Sequence, residues 1–327
     1  MSLGPNYRKL WTASAISNLG DGIDSTALPL LAAALTRDPI LFSGVAVAGR
    51  LPWLLFALQA GAIADRVDRR RLMVGVNVVR FVLLGALAAT VALDLANIWI
   101  LYAVSFGLGV GEVLFDNTAQ ALLPSLVKRD DLETANGRLF GVEIVANQFV
   151  GPPLGGFLFA IAAAVPLALD AGTFLVAGGL IAWLAGTFRV ERSVAIQDRR
   201  LRDEIKEGLS WLWQHRLLRT LGLLLGLMNG LSMAGFAILA LYALEVLGLN
   251  EIGFGILATT SAVGSVLASL VAGRVVKQFG RGPVLIATIL GNGATMLVIG
   301  LTSNAIVTGA MMALFGFFAV AWNVITV

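Results

Sequence analysis

Apolar runs long enough to cross a bilayer, which takes about 20 residues each, recur along nearly the whole chain and leave no room for a separate soluble domain. This feature constrains the fold first, and composition agrees with it. Of the 327 residues 58% are hydrophobic and only 13% charged, which is too little polar surface to cover a soluble globule. The expected fold class is therefore an all-α polytopic membrane protein.

Reading the apolar runs against their breaks gives ten helices, at roughly 10–35, 40–64, 72–93, 97–121, 134–161, 165–188, 217–243, 252–274, 283–302 and 305–327. Of the 23 Lys and Arg residues, only Arg37 falls on one side of this arrangement, and Arg50 and Arg80 lie inside spans. The remainder occupy loops on the other side. By the positive-inside rule both termini are expected to be cytoplasmic, in a multi-pass protein of the cell inner (plasma) membrane. The charged stretch from 189 to 216 reads as a cytoplasmic linker between a six-helix N-terminal bundle, 1–188, and a four-helix C-terminal bundle, 217–327. A weak repeat supports two halves: the segment from Gly61 to Arg69 is echoed from Gly273 to Arg281, an offset of 273 − 61 = 212 residues. If the first half ends near 190, a complete second half ends near 402. The chain is therefore expected to stop about 75 residues early, two helices short.

Several classes of chemistry are excluded. The chain has no cysteine and a single histidine, His215, so thiolate chemistry, disulfides and multi-His metal sites drop out. No phosphate loop follows a strand, and no nucleophile, base and orienting group assemble at recognisable spacing, so neither catalytic residues nor a cofactor are expected. The basic residues follow membrane topology instead of forming an aromatic-studded patch, which argues against nucleic acid as a partner. Arg8 and Lys9 precede a long first span carrying two aspartates, with no cleavage site, so that span is expected to remain in the mature protein.

The loop Gly61-Ala62-Ile63-Ala64-Asp65-Arg66-Val67-Asp68-Arg69-Arg70-Arg71 resembles the signature between helices two and three of the major facilitator superfamily, with Asp68 where glycine is usual. Further stretches resemble the exporter branch similar to the enterobactin exporter: Arg50 with Pro52 and Trp53, Leu122 to Val127, Ala135 with Asn136, and Gly151-Pro152-Pro153-Leu154-Gly155-Gly156. The last is similar to part of the helix-five antiporter motif, with Asn147 in place of the glycine that often opens it. This resemblance implies two six-helix bundles around a central cavity that works by alternating access. It also implies a conformational latch built from Gly61, Asp65, Arg66, Arg69, Arg70 and Asp116, in which the acid near the end of helix four pairs with Arg69. Met228, Asn229 and Met233 in helix seven and Trp322 and Asn323 in helix ten are implied as cavity-lining, with lipid-facing or helix-packing roles as the alternatives.

Independently of family, ionisable side chains inside apolar spans are costly and survive where they face a cavity or a partner. They are Asp21, Asp24, Arg50, Arg80, Glu112, Asp116, Glu143 and Asp170. Asp21 and Asp24 share a face of helix one, at nearly the depth of Arg50, so an Asp24–Arg50 pair is expected, either as a proton-coupling element or as a fixed ion pair. Glu112, on one face of helix four with Asp116, is the other protonation or cation-binding candidate, with Arg80 and Glu143 at comparable depth. Gly151, Pro152, Gly155 and Gly156 are expected to bend helix five and permit close packing. Together these readings predict a secondary active exporter, proton-coupled, for a small amphipathic compound such as a drug or siderophore. A truncated, non-transporting membrane protein or assembly partner is the alternative at this point.

Overall fold

A computed structural model describes residues 3–64, 66–186 and 210–326, and the described backbone is helical without a strand. The N-terminal half contains α1 (Pro5–Leu35), α2 (Pro39–Ala64), α3 (Arg69–Ala92) and α4 (Ile98–Leu122). Then comes a composite α5, made of Leu132–Glu143, a π-helical segment Ile144–Val150 and Gly151–Ile161, followed by α6 (Ala164–Ala182). The second half contains α7 (Arg216–Ala237, continued by Leu239–Glu245), α8 (Glu251–Phe279), α9 (Arg281–Leu301) and α10 (Ala305–Thr326). Residue 65 and residues 187–209, which hold Asp65 and most of the expected linker, lie outside the described residues.

Nine helical stretches among the described residues are long and apolar enough to cross a membrane. The first helix is not one of them, although an apolar run was expected there. Asn18, Asp21, Asp24 and its hydroxyl side chains dilute its hydropathy, and packing compensates. It buries residues from Tyr7 to Ala33 against α5 and α6.

Four of the five turns on the side that carries Arg37 share one device, the exception being the Ala163 turn before α6. Asp38 accepts from the Ile40 amide at 2.8 Å, Asn97 from the amides of Trp99 and Ile100, Asn250 from Gly253, and Asn304 from Ile306. Each short side chain satisfies a helix-start amide that would otherwise have no partner. Asp68 does the same for α3, accepting from the Arg71 amide at 3.0 Å, which accounts for an aspartate at the glycine position of the loop signature.

The hydrophobic core divides unevenly. One cluster, at the Arg37 end, joins Leu30, Leu31 and Leu101 of the first half to Ala240, Leu241, Phe254 and Met312 of the second. At the opposite end the two halves have separate cores, one around Leu10, Met73 and Ile181 and one around Ala268, Ala272 and Ala321. The halves thus meet at one end and keep apart at the other. The 212-residue repeat has a structural counterpart. Gly49 and Ser261 (261 − 49 = 212) each present a carbonyl to a glycine of the next helix but one, Gly109 and Gly316, where a Cβ would sit 2.2 and 1.9 Å away.

Candidate functional site

The site is framed by helices that approach too closely for side chains. A Cβ on Gly151 would lie 2.5 Å from the Gly22 Cα, and one on Gly155 would lie 2.5 Å from the Ile23 carbonyl, so α5 rests directly on α1. The same helix meets α8 from its other side, where a Cβ on Gly156 would stand 2.3 Å from the Glu251 carbonyl and one on Gly255 would stand 2.5 Å from that of Pro152. The glycines of helix five therefore act as packing surface between the two halves. The irregularity expected of its Gly and Pro residues lies just before them, in the π-helical segment Ile144–Val150. Pro152 and Pro153 lack the amides that would continue α-type bonding there.

Between the halves lies a cavity of about 850 Å³. Its wall mixes two chemistries. The aromatic and thioether part comprises Phe42, Phe174, Phe236, Phe254, Phe315, Trp322, Met233 and Met312. The polar part comprises Asp21, Asp24, Arg50, Arg80, Glu112, Asn147, Gln148, Asn229, Ser232 and Asn292. Three carboxylates against two guanidinium groups leave the wall formally one unit negative when all are ionised.

The pairing of these charges differs from the expected Asp24–Arg50 contact. Arg50 stands 3.6 Å from Glu112, because α2 packs along α4, and both side chains are substantially open to the cavity. Arg80, only 3% exposed, holds Asp21 at 3.2 Å, and its guanidinium carbon lies 4.3 Å over the Phe174 ring. Asp24, itself buried, turns to Asp170 of α6, a residue with no exposed surface. The expected lateral neighbour was wrong, since azimuth around a helix is not set by depth.

The latch residues also rearrange relative to expectation. Arg69 donates to the Ala121 carbonyl at 2.7 Å and Arg70 to that of Leu184 at 2.8 Å, at the C-terminal ends of α4 and α6 where the helix dipoles are negative. Asp116, expected to receive Arg69, instead lies in the field of Glu112, Arg80, Glu143 and Arg50. Gly61 has open space where a Cβ would be, Arg66 is exposed, and Asp65 falls outside the described residues. Glu143 is exposed immediately before the π-helical segment. Asn229, Met233 and Trp322 line the cavity; the side chains of Met228 and Asn323 are outside the described set.

Sequence reasoning missed Asn77, wholly buried on α3 with neither amide atom hydrogen-bonded, and the role of Glu245, whose carboxylate holds Arg37 at 3.0 Å across the two halves. An asparagine three residues before Arg80 in an otherwise apolar run was the available signal for the first.

With this geometry in place, comparison with known proteins decides the family. The family described as transmembrane secretion effector, of the major facilitator superfamily, matches residues 4–326. The chain belongs to this family. By kinship it is a membrane transporter, and the nine long apolar helices among the described residues agree with a multi-pass protein. The multidrug efflux pump Tap of Mycolicibacterium fortuitum is 26% identical over 318 residues, covering 93% of this chain and 76% of that pump. The Tap pump of Mycobacterium tuberculosis is 30% identical over 237 residues, 68% of this chain and 54% of the relative. Macrolide efflux protein A of Streptococcus pyogenes is 22% identical over 156 residues, 47% of this chain and 38% of the relative. Among solved structures, the nucleoside transporter NupG superposes with a TM-score of 0.74 at 14% identity, over 98% of this chain and 81% of that one. An inward-facing bacterial homologue of the lysosomal transporter Spinster gives 0.71 at 14%, over 97% and 72%. At such identities the structures speak to the fold alone.

Proposed function

We propose that this transporter exports a small amphipathic compound across the plasma membrane by alternating access, coupled to the proton gradient. The observation that carries the reading is the cavity between the two halves. Its volume lies in the range of small-molecule sites, which run roughly 300–1,000 Å³, and its wall pairs aromatic surface with a slight excess of negative charge. Such a wall suits an apolar body bearing a cationic or hydrogen-bonding group. The family's efflux relatives support export as the direction.

Residues 1–188 act in this proposal as one rocking bundle, 189–216 as the linker and 217–327 as the second bundle. With the basic loops cytoplasmic, the joined Arg37 end faces outward and the cavity opens inward. Asp21, Asp24, Arg50, Arg80, Glu112 and Glu143 are the coupling and substrate groups, with Asp24 and Glu112 taking the proton. The loop from Gly61 to Arg70 stiffens the inner end of the first bundle, and Gly151, Pro152, Gly155 and Gly156 form the surface on which the bundles bear. Protonation then biases the two states by whatever difference in affinity they have for the proton.

The test is expression in cells lacking their main efflux pumps, with retention of lipophilic dyes, macrolides and siderophores measured with and without a protonophore. Lower retention that the protonophore reverses is the expected result. Unchanged retention by correctly inserted protein overturns the proposal.

A further inference from the structure

The mechanism above uses Asp24 and leaves Asp170 unexplained. Asp170 has no exposed surface and Asp24 is 7% exposed, yet their carboxyls lie within hydrogen-bonding reach of each other. One oxygen of each, Oδ1 of Asp24 and Oδ2 of Asp170, is buried with no donor. The other oxygen of Asp170, Oδ1, accepts from the Thr173 hydroxyl at 2.6 Å, which fixes the carboxyl in place. Gly20 makes the approach possible: a Cβ there would fall 1.6 Å from Asp170 Oδ1 and 2.3 Å from Thr173 Oγ1. The charged groups acting on the pair are Asp21 on the same helix and Arg80 of α3, and Arg80 is already engaged by Asp21. Glu112 and Asp116 of α4 act on Asp21 behind it. Among the described residues, Arg80 is thus the one cation acting on both carboxylates, and Asp21 already engages it.

Two ionised carboxyls at such range repel strongly in a low-dielectric interior, whereas one proton held between them supplies the missing donor and removes the repulsion. We infer that Asp24 and Asp170 share a single exchangeable proton, with Asp170 as the buried half of the transporter's proton-binding element and Asp24 as its port to the cavity. This rests on the proton-coupled reading above. The proton enters and leaves as a transfer between a cavity water and Asp24. When it leaves, both carboxyls are negative, and the repulsion acts where α1 and α6 touch at Gly20. The proton's departure is thereby converted into a force between two helices of one bundle.

Infrared difference spectroscopy on purified full-length chain in liposomes, with carboxyl-labelled aspartate, separates protonated from ionised carboxyls without requiring transport. Wild type is expected to show a protonated-aspartate carbonyl band that shifts in heavy water. The same band should vanish in both Asp24→Asn and Asp170→Asn, and persist in Asp21→Asn. In each of the first two variants the asparagine amide donates in place of the proton, so folding is retained, checked by gel filtration. Loss of the band in only one of those variants, or its absence from wild type together with stabilisation by sodium or calcium, overturns the shared proton. Dye transport in the same liposomes reads the export proposal separately. Transport that persists and stays gradient-driven in Asp170→Asn refutes the role of the pair and leaves export standing, while absence of transport in wild type with the band intact refutes export alone.

Discussion

Replacing Arg80 with methionine tests the electrostatic centre of the site. The guanidinium is 3% exposed, 3.2 Å from Asp21 and 4.3 Å from the Phe174 centroid, so the variant strands a carboxylate beside two others and loses the ring contact. Removing one partner of a buried ion pair costs about 3–5 kcal/mol, and the cation–π contact contributes about 0.5–2 kcal/mol. Because Asp21 keeps 29% exposure toward the cavity, water recovers part of this, and a loss near 3 kcal/mol is expected. The double variant Asp21→Asn/Arg80→Met removes the stranded charge and should regain about 2 kcal/mol. The measurement is a four-protein cycle of detergent-driven unfolding, followed by helical circular dichroism. As a control, Arg37→Ala breaks a pair whose side chains are 66% and 46% exposed, where about 0.2–1 kcal/mol is expected. A coupling between Asp21 and Arg80 no larger than that of the control pair refutes the reasoning.

Other outcomes follow from the same geometry. Although Arg37→Ala barely alters stability, it removes a link between the halves, so labelling of single cysteines introduced near Ala240 should rise from the outer side; the native chain lacks cysteine and gives no background. Unchanged labelling counts against a gating role for the pair. Gly155→Leu places side chain where the Ile23 carbonyl lies 2.5 Å from a Cβ, and about 1–3 kcal/mol of overpacking should lower its melting temperature, while the same change at Gly141, which faces open space, should not. Asp68→Ala removes the cap on α3 and should cost about 0.5–2 kcal/mol, with Asp68→Asn nearly neutral; equal loss in both variants removes capping as the reason.

How far the sequence carried the fold depended on which physical property each step used. Apolar length located the helices, while the caps at Asp38, Asn97 and Asn250 emerged only in the structure, although they too act within a few residues. Burial cost singled out eight groups, of which Asp21, Asp24, Arg50, Arg80 and Glu112 line the cavity and Asp116, Glu143 and Asp170 do not. Partners were harder to read. Whether Arg50 meets Asp24 or Glu112 depends on α2 packing on α4, a contact set by the close approach of Gly49 and Gly109 across the two helices. Asp170 carried the same burial signal as Asp24, but its neighbour emerges only once Gly20 brings α6 onto α1. The π-helical segment had no signature beyond the two prolines that follow it.

That segment gives α5 an unusual sensitivity to length. An α-helix advances by about 100° per residue, so the faces it offers downstream depend on how many residues precede them. A π-helical turn takes in an extra residue without a matching advance along the axis, and it therefore sets the angular phase of everything beyond Val150. Substitutions between Ile144 and Val150 leave that phase alone. Deleting a single residue there with the π-helical turn retained would swing Gly151, Gly155 and Gly156 by about 100°, turning bulky neighbours such as Leu154 or Phe157 toward the α1 and α8 backbones. A deletion that restores regular α-helix instead keeps their phase. In this stretch the spacing of residues is under tighter constraint than their identity.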